Sequence, residues 1–339
     1  MKIPISYSRG FTGFVLAAGV VVVAMKAYTP TWLAGLPVRH PWVSVHRNDD
    51  GSVKRGIRNE VETSNWSGYA VANYSTGQTY TAAQASWTVP AVSYVAPPPV
   101  CHFYNNHNSR RGRHPSSKIC FTPDVGWEYS ASWVGIGGYC ENVNCTQVDS
   151  TLIQLGTEQD ASGRGSRQYY AWIEVLPNDP VVISPNYPNC NSLSCAYPVQ
   201  PGDAITAALS CQSNCTPGQT QSWLLTMTNE TQQWTWSTSL TYTSLLLSAV
   251  WIQEAPVSAG GVLPLADYGT ISFAASVNAD AAPNFPPGLN GGVGVDALLM
   301  VDPYGETSNP SVAQPSSDAD AFNTCWGNSA NAIAICQAP

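Results

Sequence analysis

Three short apolar runs stand at hairpin spacing between residues 130 and 177: Ser130-Ala-Ser-Trp-Val-Gly-Ile-Gly-Gly138, Leu152-Ile-Gln-Leu-Gly156 and Tyr169-Tyr-Ala-Trp-Ile-Glu-Val-Leu-Pro177. The two-residue period of a strand puts Leu152, Gln154 and Gly156 on one face and Ile153 and Leu155 on the other. Gln154 therefore interrupts an otherwise apolar face. The same period groups Tyr170, Trp172 and Glu174 against Ala171, Ile173 and Val175. From about residue 62 to 273, short runs rich in Val, Thr, Tyr and Trp recur between clusters of Gly, Pro, Asn and Ser. No segment sustains a 3.6-residue period, so the pattern predicts an all-β sandwich. Residues 231–243 show it most plainly: Trp234, Trp236, Leu240 and Tyr242 share one parity, and Thr235, Ser237, Ser239, Thr241 and Thr243 fill the other. One face of that strand is core and the other wet.

Five stretches carry a resemblance. Globular sequence opens at Asn65-Trp-Ser-Gly68, followed by Trp133-Val-Gly-Ile-Gly-Gly138, the Leu-Ile-Gln-Leu-Gly strand ending at Gly156, and Tyr169-Tyr-Ala-Trp-Ile-Glu174. About eighty residues further on stands Ala249-Val-Trp-Ile-Gln-Glu254. Together they resemble the glutamic peptidases, the eqolisin or G1 family, in its bacterial form. The resemblance spans roughly residues 62–327. It implies two large antiparallel sheets in a lectin-like or concanavalin-like sandwich, no cofactor, no metal and a protein or peptide substrate. Residues 297–301 and 322–326 resemble the closing strands of bacterial members. Two positions depart from the fungal members: Gly137 where they carry Asp, and Val250 where they carry Glu.

The resemblance names Gln154 and Glu254 as the catalytic pair. It also places Trp133 as a wall of the substrate cleft and Glu174 as a supporting carboxylate near it. Elementary chemistry agrees with such a pair in acid. Peptide hydrolysis needs a group to take a proton from water, a donor for the oxyanion and a proton for the leaving nitrogen. A histidine base with a pKa of about 6.5 is already protonated in acid. The histidines beyond residue 60 are His102, His107 and His114, all in one stretch that reads as an inserted loop at 96–128. A carboxylate with a pKa of about 4 keeps an ionised fraction in mild acid, and a Gln amide can donate at any pH. Two rivals remain at this stage. A sandwich with paired carboxylates, Glu174 and Glu254, could cleave glycans, and a Trp-rich face could bind sugars without catalysis.

Charge and composition extend the picture. The 339 residues are 44% apolar and only 11% charged, with a formal net charge of −8, which excludes a nucleic-acid-binding face. The first sixty residues hold eight bases against three acids, net +5; the remainder holds six against nineteen, net −13, with no Lys or Arg after Arg167. So few bases spare a protein strong positive self-repulsion in acid. Residues 1–27 read as a secretory signal, since Lys2 and Arg9 precede a fifteen-residue apolar run at 11–25, short for a membrane span of about 20 residues. A secreted monomer with no membrane contact beyond that segment is expected, an uncleaved anchor being the alternative. Residues 28–60 read as a pro-segment or linker ahead of a domain at 61–339. Their basic charge beside an acidic body suggests an inhibitory strand that acid would release, with a midpoint between about pH 3 and 5.

Ten cysteines behind an export signal read as disulfides in loops. Their local order suggests Cys101–Cys120, Cys140–Cys145, Cys190–Cys195, Cys211–Cys215 and Cys325–Cys336. A metal reading of Cys101, His102, His107, His114 and Cys120 matches no zinc spacing.

Overall fold

The computed structural model describes residues 39–74, 78–96, 100–104, 117–121, 126–184, 196–259, 261–277, 294–315, 320–328 and 335–339. The expected signal at 1–27, the first part of the 28–60 segment and the Cys190–Cys195 pair lie outside them. The described residues form twenty strands and no helix. β1 (Val61–Thr63), β2 (Trp66–Ala72) and β3 (Ala82–Thr88) lead to a hairpin of β4 (Val100–Tyr104) and β5 (Ser117–Phe121). The long strands β6 (Trp127–Gly137), β7 (Leu152–Ser162) and β8 (Arg167–Val175) follow, with a short β9 (Val181–Val182). A meander of β10 (Ala204–Ser213), β11 (Thr220–Asn229) and β12 (Trp234–Thr243) leads back to β13 (Ser248–Glu254). Then come β14 (Val257–Ser258), β15 (Gly261–Val262), β16 (Thr270–Val277), β17 (Val295–Val301), β18 (Glu306–Pro310), β19 (Gln314–Pro315) and β20 (Asp320–Asn328).

The hydrogen-bonded path runs β12-β11-β10-β3-β16-β20-β18-β17-β2-β13-β6-β7-β8-β9. It is antiparallel throughout, and the one parallel pair, β1 with β17, lies off it. The two layers of the sandwich are thus one ribbon. β18 pairs with β20 on one side and β17 on the other, and the ribbon doubles over so that β3 covers β6 and β13 while β10 covers β6 and β7. Between the layers lies the main core. One layer contributes Val134, Ile136, Ile153, Leu155, Ala171, Ile173 and Trp251, and the other Trp87, Ile205, Leu209, Trp223 and Phe273. Two indole N–H groups that enter this core find partners across it: Trp87 Nε1 donates to Thr157 Oγ1 at 3.1 Å and Trp251 Nε1 to the Gln84 carbonyl at 2.8 Å. Buried donors left unpaired would cost about 1–3 kcal/mol each.

Alternation along β12 follows the expected parity, with its Thr and Ser positions exposed or half-buried and Trp234 buried. Three of the expected disulfides are present: Cys140–Cys145, Cys211–Cys215 and Cys325–Cys336. Cys101 and Cys120 are partners in the β4–β5 register, within a hairpin that pairs with no other strand among the described residues.

Residues 39–60 pack against the body. Antiparallel bridges join Val45 to Thr63, Arg47 to Val53 and Arg55 to Val61, so the chain folds back on itself before running into β1. Val43 and Val61 are both buried in a second apolar cluster, on the outer face of the β2-β13-β6-β7-β8 layer. A boundary at 60/61 would therefore cut through a hydrogen-bonded arrangement rather than a free tether.

Candidate active site

That outer face is where Gln154 points. Partners directly opposite in a sheet share a face, so the register lays out the site row by row. Glu254 on β13 stands opposite Trp66 on β2 and Ala131 on β6, and Ala131 stands opposite Glu158 on β7. The next row on the same face holds Ile252, Trp133, Gly156 and Trp172. The row after that holds Val250, Gly135, Gln154 and Glu174. All four residues named from sequence, Gln154, Glu254, Trp133 and Glu174, thus lie on one face of four adjacent strands. The small residues between them leave the floor open. A Cβ on Gly156 would stand 2.4 Å from both the Ser132 carbonyl oxygen and Trp133 Cβ, so only glycine lets the Trp133 indole lie across the floor.

The two departures from the fungal pattern have physical explanations in this backbone. Gly137 sits at φ +93°, and a Cβ there would lie 2.0 Å from the Thr151 carbonyl oxygen, so no Asp fits. A carboxylate is nevertheless near: Asp149 Oδ2 lies 3.2 Å from that notional Cβ, and burial pushes the Asp149 carboxyl up to about 6. Val250 is buried in the apolar cluster of the outer face.

The Glu254 carboxyl is fully buried and held by two indoles. Trp66 Nε1 donates to Oε1 at 3.1 Å and Trp133 Nε1 to Oε2 at 2.7 Å, the two rings meeting edge to face at 5.0 Å. Trp133 is therefore a hydrogen-bond donor to Glu254 as well as part of the same sheet face. Burial, and after it the charge of Glu174, pushes the Glu254 carboxyl well above the ordinary carboxylate range, against the pull of the Trp133 and Trp66 N–H groups. Burial likewise raises Glu174 and Glu158, and Asp160 beside Glu158 is pushed up to about 8. Gln154 Nε2 donates to Glu174 Oε2 at 3.0 Å, which fixes the amide across the β7–β8 pair.

Into this site the protein inserts its own residue His40, which no sequence pattern had singled out. Its ring stacks flat on Trp172, with centroids 3.7 Å apart and planes 3° from parallel. Nδ1 lies 3.0 Å from Glu254 Oε2 and Nε2 3.3 Å from Glu158 Oε2. The backbone is held as well: the His40 N–H donates to Glu174 Oε2 at 3.0 Å, and the His40 carbonyl accepts from Gln154 Nε2 at 2.6 Å. On one side of it Arg39 forms a two-way backbone bridge with Val257 and pairs with Asp179. On the other, Val43 N–H donates to the Gly138 carbonyl at 2.9 Å. Burial drives the His40 imidazole well below its ordinary value. An amide and two carboxyls thus converge on one residue of the chain itself, with indoles beneath.

The comparisons agree in class. The family model described as the Peptidase A4 family matches residues 64–297, and the chain belongs to that family, the eqolisin peptidases its motifs resemble. It is a peptidase. Among solved structures, scytalido-glutamic peptidase with a transition state analog inhibitor aligns at 16% identity and TM-score 0.48, covering 78% of this chain and 98% of that one. SCP-B, a member of the eqolisin family in complex with the tripeptide Ala-Ile-His, aligns at 16% identity and TM-score 0.41 with the same coverage. No curated protein matches the chain by sequence.

Proposed function

We propose that this peptidase is a secreted, acid-active endopeptidase that cleaves protein substrates with Glu254 and Gln154. The observation that carries the reading is the His40 carbonyl: a backbone C=O rests on Gln154 Nε2 while the Glu254 carboxyl faces the same residue. A substrate carbonyl in that position would meet a neutral donor for its oxyanion. Ionised Glu254 takes a proton from water as the hydroxyl adds to the carbonyl carbon, and Gln154 donates to the oxygen that becomes negative. As the intermediate collapses, the C–N bond breaks and protonated Glu254 gives its proton to the leaving nitrogen. Trp133 and Trp66 hold the carboxyl in place through both steps. The glycan-cleaving and sugar-binding rivals gain no support, because the chain belongs to a peptidase family and Gln154 and Glu174 grip the backbone groups of the residue in the cleft.

The segment at 28–60 is proposed to be inhibitory, with His40 as the contact that closes the site. The imidazole takes the Glu254 hydrogen bond that an attacking water needs, and the following residue, Pro41, makes the neighbouring amide tertiary. Opposite charge does not act in the cleft itself, where the segment offers His40. The Lys and Arg pairs lie further along: Lys54 with Glu62 at 2.6 Å, Arg58 with Glu60 at 2.7 Å and Arg55 with Asp296 at 3.5 Å.

The signs of the pH terms then define a window. Burial raises Glu62, but hydrogen bonds from His46 and Lys54 outweigh it and hold the carboxyl below its ordinary 4.5. Its contribution to closure is present above 4.5 and is lost as pH falls below it. His40, lowered by burial, also favours closure less as pH falls below its ordinary 6.5. The cleft carboxyls act in the opposite sense, since raised values favour the closed form as protons bind. That effect levels off as the pH falls below about 4.5, where these groups are mostly protonated in the open cleft as well and Glu254 keeps only the minor ionised fraction that acts as base. Below that point the terms that still change with pH favour opening, while the carboxyl contribution to closure stands in full, so the proposed acid release requires the Glu62 and His40 losses to exceed it.

The test uses Gln154→Ala and Glu254→Gln, each shown to be folded, on an unfolded protein substrate at pH 3 to 4. Losing an oxyanion donor costs about 10²–10³ in turnover, and losing the base should cost at least as much. Activity within tenfold of wild type in either variant contradicts the pair.

A further inference from the structure

The strand period that turns Glu254 to the outer face turns Gln253 into the main core, on the parity of Ala249 and Trp251. An amide buried there without partners would be costly. The register supplies the partners. Gln253 stands opposite Ser67 on β2 and Ser132 on β6, and Ser132 stands opposite Thr157 on β7. All four are fully buried, as is Gln159 further along β7. Ser132 Oγ lies 2.6 Å from the side-chain amide of Gln253 and 2.6 Å from that of Gln159. A hydroxyl between two amides donates to one and accepts from the other, so a single atom joins β13 to β6 and β7. Trp87 Nε1 reaches Thr157 Oγ1 from the facing layer, which ties the same row to β3.

We propose that Gln253 and Ser132 are positioning residues for the peptidase reaction: their hydrogen bond on the core side fixes β13 against β6 and so holds Glu254 on the Trp133 indole. This rests on the reading above of Glu254 as the base. In the β13–β6 register, the Gln253–Ser132 pair is the step between Glu254 opposite Ala131 and Ile252 opposite Trp133. It therefore lies behind the 2.7 Å bond from Trp133 Nε1 to Glu254 Oε2, on the other side of the same two strands. Apolar contacts are non-directional and tolerate a small slide of one strand past its neighbour. A short hydrogen bond has a narrow range of distance and angle and does not. A buried polar network of this kind rigidifies the strands it joins, and a catalytic group needs such support from the residues behind it. Misplacing a reacting group by about 1 Å can cost about 10²-fold in rate.

The experiment uses the full chain, activated at pH 3 to 4, as wild type, Gln253→Leu, Ser132→Ala and Gln253→Glu. For each, kcat, KM and the pH dependence of kcat/KM are measured on labelled casein, beside the melting temperature. Glu158, Glu174 and His40, the titratable groups that act on Glu254 from β7, β8 and the 39–60 segment, are unaltered in all four. Leucine fills the space without the hydrogen bond, whereas a buried glutamic acid stays protonated in acid and keeps both a donor and an acceptor. The inference expects Gln253→Leu and Ser132→Ala to lower kcat by about tenfold or more with little change in KM. It also expects their acid limb to move to higher pH, the direction a weakened indole bond to Glu254 dictates. Gln253→Glu should recover kcat at pH 3 to 4. Ser132→Ala removes one hydroxyl and carries the test by itself should Gln253→Leu not fold. Variants with wild-type kcat and an unmoved limb, whatever their melting temperature, overturn the positioning role and leave the catalytic pair intact. If wild type does not cleave casein, or Glu254→Gln cleaves it as fast as wild type, the reading of Glu254 as base falls, and the positioning role with it.

Discussion

Glu254 is a buried acid whose two oxygens are held by two indoles, and this geometry makes the pH profile a probe of single residues. Trp133→Phe keeps an aromatic ring on the floor but removes the donor 2.7 Å from Oε2. A hydrogen bond to a charged group is worth about 1.5–3 kcal/mol. Its loss should raise the Glu254 pKa, moving the acid limb of kcat/KM to higher pH by about one unit or more, since one unit is about 1.4 kcal/mol. A limb that does not move, with kcat/KM unchanged, would mean that Glu254 is not the group titrating. Gln154, Glu254, Trp133 and Glu174 were legible because each stands in a motif and the strand period fixes its face. Glu158 was legible in position, being on the face of Gln154 four residues on, yet nothing in a Thr-Glu-Gln sequence says what it faces. His40 was not legible at all. Its partners lie 114 to 214 residues away, and only the folded sheet brings them to it.

At the scale of elements, the outer face of β6, β7, β8 and β13 depends on where side chains are missing. Gly156 is the clearest case, since a methyl there meets Ser132 backbone and Trp133 at 2.4 Å. Gly156→Ala should destabilise the protein by roughly 1–3 kcal/mol, the usual cost of overpacking, and should depress activity beyond what the lost stability explains. An unchanged melting temperature would show that the two strands can part without cost. The turn at 39–60 tests the pH argument separately. Glu62 accepts from both Lys54 and His46, so Glu62→Gln removes a group whose grip is lost below about pH 4.5. Proteolytic sensitivity of this segment should then rise at neutral pH and change less between pH 7 and 3 than in wild type. A variant as protected as wild type at pH 7 would remove Glu62 from the account. From sequence the segment showed no periodicity, and the structure explains this: single bridges and one buried valine hold it, a pattern too short for a two-residue repeat to register.

Across the whole molecule, the all-β class and the sandwich were legible from alternation, while the joining of the layers was not. Strand order depends on which edges meet, and β18, five residues with no sequence signature, is what carries the ribbon from one layer to the other. The same layering gives the protein a dry core on one face of β6, β7 and β13 and a polar cleft on the other. The cleft is occupied by the chain itself, so activity should be a property of the opened molecule. The most direct measurement is hydrolysis of an unfolded protein substrate from pH 7 to 3 by the full-length chain and its His40→Gly variant, followed together with chain size. The account predicts that wild type is silent near neutrality and gains activity below about pH 4.5. His40→Gly, with no ring on Glu254 or Trp172, should be active at higher pH and without a lag. Wild type fully active and uncut at pH 7, or a His40→Gly profile that superimposes on wild type throughout, would contradict it.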